Sequence, residues 1–219
     1  MTKKERKRKK KLQTYNRKLI EKYPWLLPRS AWTGKPLEDY DYTYIEWGWS
    51  EGWDRAFGKM FMEELGEAIK EAGLEHSYRI LQIKEKFARA CLYDNGGTQK
   101  MYDIIRKYEI ISEACCWNCG KPAPITDTGW LTPYCEKCFK EYYRRREKWQ
   151  MEHIEDYQPH TDEELTELYK KCCCSIPEAD GKYHYPLSYT VHYGGNKVDK
   201  VVDISKTARA LERRMCRED

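Results

Sequence analysis

The stretch CWNCGKPAPITDTGWLTPYCEKC places cysteines at 116, 119, 135 and 138, two C-x2-C pairs separated by fifteen residues. Each pair presents two sulfurs from one tight turn, and zinc prefers four thiolates arranged as a tetrahedron. Cys116, Cys119, Cys135 and Cys138 would fill all four positions, leaving none for a water or a substrate. The spacing therefore predicts a structural Zn2+ that braces the fold. Gly120 suits the left-handed turn such a knuckle needs, and PAPITDTGWLTP has the length of a small hairpin. Cys115 is an alternative ligand, but it would make the first pair C-x3-C, a poorer knuckle.

The other reactive residue types do not fall into a catalytic pattern. TPYCEKCFK resembles the second zinc knuckle of HNH endonucleases, whose chemistry needs a histidine pair and a second metal. Residues 77–152 hold no histidine, which argues against an HNH-like nuclease. Cys172, Cys173 and Cys174 are adjacent and point in different directions, so packing or free thiols are expected there rather than a second metal site. His184 and His192 have no Ser, Cys or carboxylate in a recognisable catalytic relation, and GxxxxGK, GxSxG and a strand-borne GxGxxG are all missing. A hydrolytic site near His153, His160 or the three adjacent cysteines is the remaining enzymatic alternative. The expected protein is not an enzyme.

Charge points to binding instead. The chain of 219 residues carries a net +4, yet residues 1–11 alone carry Lys3, Lys4, Arg6, Lys7, Arg8, Lys9, Lys10 and Lys11 against one Glu, a net +7, which leaves −3 on the rest. So dense a block of like charge predicts a disordered basic tail that meets a polyanion. A second basic group, Arg144, Arg145, Arg146 and Lys148, is interleaved with Tyr142, Tyr143 and Trp149, a mixture suited to phosphates and stacked bases. Opposite in sign, LEDYDYTYIEWGWSEGWD alternates acids with aromatics and has no Lys or Arg; Glu38, Asp39, Tyr40, Asp41, Tyr42, Trp47 and Trp49 are its candidate partner contacts. Ten cysteines, the charged N-terminus and the lack of an apolar run of about 18 residues lead to the expectation of a soluble protein in a reducing compartment, with no membrane partner.

The elements that must position these groups read as α+β. A short helix is expected over 14–22, then an extended arm (YPWLLPRSAWTGKP), an amphipathic helix over 51–72, strands near 78–84 and 87–93, and a helix capped by Thr98 that runs into the first knuckle. A helix follows the second knuckle, another starts at the capping box TDEE, and a hairpin and a helix capped by Ser205 close the chain. The expected organisation is a basic tail (1–12), a small helix-and-hairpin body (13–114), an embedded four-cysteine zinc ribbon or treble-clef module with its following helix (115–157), and a C-terminal α+β lobe (158–219).

The segments QIKEKF (82–87), Tyr93, Cys116, Cys119, Gly120, Pro122, Gly129-Trp130, Cys135 and Cys138 resemble a widespread group of uncharacterised bacterial and bacteriophage proteins. The resemblance covers about residues 50–140, and YPWLLPRSAWTGKP is similar to phage members in particular. The chain departs from the pattern at Ala88, where the group has a turn Gly, and at Cys91. The resemblance implies a zinc module but no reaction. Together these features lead to the expectation of a zinc-braced accessory protein of a phage or other mobile element that binds a host protein or nucleoprotein complex. One such role is inhibition of a defence system such as CRISPR, with the acidic run imitating phosphate. The alternative is direct DNA or RNA binding through the tail and the Arg-rich helix.

Overall fold

The computed structural model describes residues 2–27, 29, 33, 35, 36, 49–192 and 199–215. Its elements are helices and small two-stranded sheets, an α+β architecture, grouped in two compact units. These units cut the chain differently from the four segments expected. One comprises Met1–Ser50, Gly58–Lys86 and Ala90–Glu109; the other comprises Glu51–Phe57, Phe87–Arg89 and Ile110–Asp219, so the cysteine module and the C-terminal segment belong together.

The first unit begins with a helix. Residues 3–12, expected to be disordered, form the first half of α1 (Lys3–Lys22). The cause is local: Thr2 accepts from the Glu5 backbone N–H and the Glu5 carboxylate reaches back to Thr2, a capping box, while Lys and Arg are good helix formers. The arm after α1 opens with a 3-10 turn at Pro24–Leu26 that buries Trp25 and Leu26. Helix α2 (Lys59–Glu71) buries Phe61, Leu65, Ala68 and Ile69 on one face. Trp49 packs on Phe61 with ring centroids 5.4 Å apart, and Phe61 meets Tyr108 edge to face at the same distance. Trp49 is 1% exposed, so it is a core residue and not a partner contact. The acid-rich run around it gives no sign of which rings turn inward. Strands β1 (Ile80–Lys86) and β2 (Arg89–Asp94) form a hairpin, and Tyr78 donates to Asp94 at 2.8 Å. The turn falls at Phe87 and Ala88, both in the left-handed region at φ 52° and 69° with no glycine to ease it. Helix α3 (Gln99–Glu113) carries the chain to the first knuckle.

The second unit contains the helical turn Glu51–Trp53, whose chain continues through a π-helical segment (Asp54–Gly58) where one unbroken helix was expected. Strands β3 (Ile125–Asp127) and β4 (Leu131–Pro133) pair antiparallel in the register Ile125 to Pro133, Thr126 to Thr132 and Asp127 to Leu131. Helix α4 (Glu136–His153) starts within the second cysteine pair, immediately after Cys135. Helix α5 (Asp162–Cys172) starts at the expected capping box, with Thr161 and Glu164 exchanging hydrogen bonds. It packs on α4 through Tyr169 against Phe139, centroids 5.2 Å apart. Strands β5 (Ser188–Val191) and β6 (Lys200–Asp203) make the last hairpin, and α6 (Ser205–Met215) buries Ala208, Leu211 and Met215. Among the described residues no helix is long and apolar enough to cross a membrane.

Candidate metal centre and basic surfaces

The first knuckle is a tight turn: the Gly120 N–H donates to the Cys116 carbonyl at 2.9 Å, and Gly120 sits at φ 85°, where a side chain would be strained. The Trp117 N–H donates to the Pro133 carbonyl at 2.7 Å, tying the knuckle to the end of the hairpin. Cys135 is the N-cap residue of α4 and Cys138 lies in its first turn. There the helix dipole favours negative sulfur. Knuckle, hairpin, then helix carrying the second pair is the treble-clef order.

All four sulfurs lie within 4.8 Å of one another, and Cys119 Sγ is 3.6 Å from Cys135 Sγ. Zinc-to-sulfur bonds of about 2.3 Å in a tetrahedron put sulfurs about 3.8 Å apart, so the donors present fit such an ion. Hydrogen bonding with Cys116 pulls the Cys119 thiol far down, helped by Cys135, Cys138 and the Lys121 backbone N–H. Cys116 and Cys119 together push the Cys138 thiol up. Four crowded thiols cannot all be anions unless a cation sits among them.

Cys115 is not part of the cluster. Buried, it donates from Sγ to the Gly120 carbonyl at 3.3 Å, and desolvation pushes its thiol well up. Cys172 and Cys173 pack partly buried against the module core, with Cys173 bridging to Thr126, while Cys174 is exposed. The three form no metal cluster among the described residues.

Contacts invisible in the local sequence support the knuckle. Gly52 donates its N–H to the Trp117 carbonyl at 3.0 Å, and a Cβ built there would lie 2.1 Å from the Cys116 carbonyl oxygen. Trp53 Nε1 donates to the carbonyls of Ser112 at 3.2 Å and Cys115 at 3.3 Å. The Tyr185 hydroxyl donates to the Gly120 carbonyl, and a Cβ on Gly120 would meet the Ala56 Cβ at 3.1 Å and the Met215 methyl at 3.2 Å. Glycine inside the Gly52-Trp53 helical turn was the one available signal, because glycine in a helix costs about 1 kcal/mol unless something needs the space.

Of the basic candidates, Lys3, Arg6, Lys7, Lys9, Lys10 and Lys11 are exposed along α1, while the side chains of Lys4 and Arg8 lie outside the described ones. On α4 the cations divide. Arg144 is committed to a clasp: its guanidinium meets Asp162 at 2.6 Å and Glu147 at 3.3 Å. Glu147 is buried, and burial pushes its carboxyl up, yet hydrogen bonds from the His160 backbone and ring, with the charge of Arg144, hold it below its usual value. Arg145, Arg146 and Trp149 are exposed, and Trp149 stacks on His153 at 4.5 Å. Among the candidate partner contacts, Glu38, Asp39, Tyr40, Asp41, Tyr42 and Trp47 lie outside the described residues.

His184 sits between two carboxylates, Nδ1 at 3.0 Å from Glu212 and Nε2 at 3.0 Å from Asp180. These bonds, Glu212 first, raise its pKa above 6.5. A raised folded-state value means stability fully present below about 6.5 and lost as pH climbs through the folded value. The thermal midpoint is expected to fall over that window by a small amount, and His184→Gln to remove that part of the fall. Matched melting curves of the two proteins check this, and parallel pH profiles would contradict it.

Fold and site define an α+β protein with four cysteines clustered closely enough to hold a metal ion. Comparison with protein-family models, with curated proteins and with solved structures finds no match to this chain.

Proposed function

We propose that this chain is a non-enzymatic accessory protein, braced by one structural zinc, that binds a bacterial nucleoprotein complex and holds it through its nucleic acid. The observation that carries the reading is α1: a capped helix whose Lys3, Arg6, Lys7, Lys9, Lys10 and Lys11 are exposed. A helix sets these charges at about 1.5 Å of rise per residue, a dense cationic rod against a phosphate backbone. Zinc is the ion of choice because four thiolates in tetrahedral reach are its preferred structural set. With every position taken by sulfur, the metal braces the fold and performs no chemistry. Origin in a phage or other mobile element rests on the resemblance over residues 50–140. Action in the bacterial cytoplasm follows from the same resemblance and from the free thiols.

A narrower reading, antagonism of a host defence nucleoprotein such as a CRISPR nuclease, is favoured by the run of acids and aromatics over 38–54. Charge reversal of Glu38, Asp39, Asp41 and Glu46 that left inhibition intact would remove phosphate imitation as its basis. The wider proposal is tested by purifying the tagged protein from a bacterial host at moderate salt and identifying what accompanies it. A ribonucleoprotein, or nucleic acid that washes off at high salt, is expected; a preparation free of both contradicts the reading.

A further inference from the structure

On α4, Lys137, Lys140, Glu141, Arg144 and Arg145 line a surface depression of about 500 Å3 whose far side is Asp162. Four cations face two carboxylates. One of those carboxylates, Asp162, is taken by Arg144, and Lys140 is held by Glu136 outside the depression at 2.9 Å. Those pairs fix the middle of the surface. Lys137 and Arg145, both exposed, form no ion pair with any described residue. Arg145 turns only its Nε inward, to the Glu141 carbonyl at 3.3 Å. Lys137 and Arg145 therefore stand unpaired among the described residues, eight residues or about 12 Å apart along the helix, with Glu141 one turn from each and bonded to neither through its carboxylate.

A chain of phosphates suits two separated cations better than one small anion does. One turn beyond Arg145 is Trp149, 57% exposed, its ring held flat against His153 with an interplanar angle of 14°. That stacking immobilises the indole and leaves it a planar surface in solvent. Single-stranded binding sites combine these two features, a cationic track for the backbone and an aromatic ring for a base; a duplex offers no free base face to the ring.

We infer that this face of α4 is a single-strand binding track, with backbone phosphates at Lys137 and Arg145 and a base stacked on Trp149. The inference rests on the nucleic-acid reading above and assigns it a second site, separate from α1.

Its test uses the full chain with its metal, a labelled single-stranded oligonucleotide of about 20 nucleotides, and fluorescence anisotropy at several salt concentrations. Lys137→Gln with Arg145→Gln is expected to reduce the log–log salt slope by about 1.4, two contacts at about 0.7 each. Trp149→Ala is expected to weaken binding about tenfold on the single strand and to leave binding to a duplex of the same sequence unchanged. Both substitutions are on exposed side chains outside the clasp, so the fold is kept. If they bind like the parent while loss of residues 1–11 abolishes binding, the track is wrong and the α1 reading stands. A parent chain that binds no oligonucleotide sinks both. Displacement by free nucleotide monophosphate as effective, per phosphate, as displacement by strand would show a small-anion pocket and overturn the track.

Discussion

Removing the metal is expected to unfold the unit formed by 51–57, 87–89 and 110–219, far beyond the hairpin between the cysteine pairs. Structural zinc in such modules contributes about 10–16 kcal/mol, comparable with the whole stability of a domain. The knuckle is also where distant parts of this unit converge: Tyr185 and Met215 reach Gly120, and Trp53 is bonded to the carbonyls of Ser112 and Cys115. Without the ion, four crowded sulfurs repel or reprotonate and the turn that Tyr185 bonds to loses its shape. Far-ultraviolet circular dichroism during chelation should show loss of helix and of the cooperative thermal transition, both restored by one equivalent of zinc. Cys119→Ser should behave like the chelated protein. An unchanged melting curve in excess chelator would show that the cysteines are merely packed.

The second large effect comes from one hydrogen atom. In Gly52→Ala the new methyl would meet the Cys116 carbonyl oxygen at 2.1 Å and the Trp117 carbonyl oxygen at 2.6 Å. Both obstacles are backbone, and that backbone is the turn carrying two metal ligands, so neither side can yield without moving sulfur. Gly120, at φ 85° with a would-be Cβ 2.6 Å from the Gly52 carbonyl oxygen, closes the same contact from the other side. Overpacking of this kind costs about 3 kcal/mol, which for a chain of this length lowers the melting temperature by about 6–12 °C. The same variant should release its metal at a lower chelator concentration. A melting shift under about 2 °C would mean that the two segments do not touch in solution.

Local signals were legible and long-range ones were not. The knuckle spacing, Gly120 as the turn residue, and the capping box at Thr161 each state their structure within a few residues, and each is found where expected. The capping box at Thr2 and Glu5 is equally local, and together with the helix propensity of Lys and Arg it outweighs the like-charge repulsion between neighbouring lysines. Trp49 shows the other limit. An aromatic ring in an acid-rich run reads as surface, and only its approach to Phe61 on a separate helix reveals burial. Glu147 is similar: in sequence it is one more carboxylate on a charged helix face, and it is buried because His160 folds back onto it from thirteen residues away. The hairpin turn at Phe87 and Ala88 was placed within a residue or two, although neither residue is one that a left-handed turn favours.

The central claim, that the basic helix α1 holds a nucleic acid, is tested most directly by the salt dependence of binding in the intact chain and in a chain lacking residues 1–11. With about seven phosphate contacts on α1 and two on α4, each worth about 0.7, the intact protein should bind a single strand with a log–log slope of about −6, and a duplex through α1 alone with a slope of about −6 as well. Removal of residues 1–11 should reduce the single-strand slope to about −1, the residue of the α4 track. A slope near zero in the intact chain, or one unchanged by the deletion, would contradict the account.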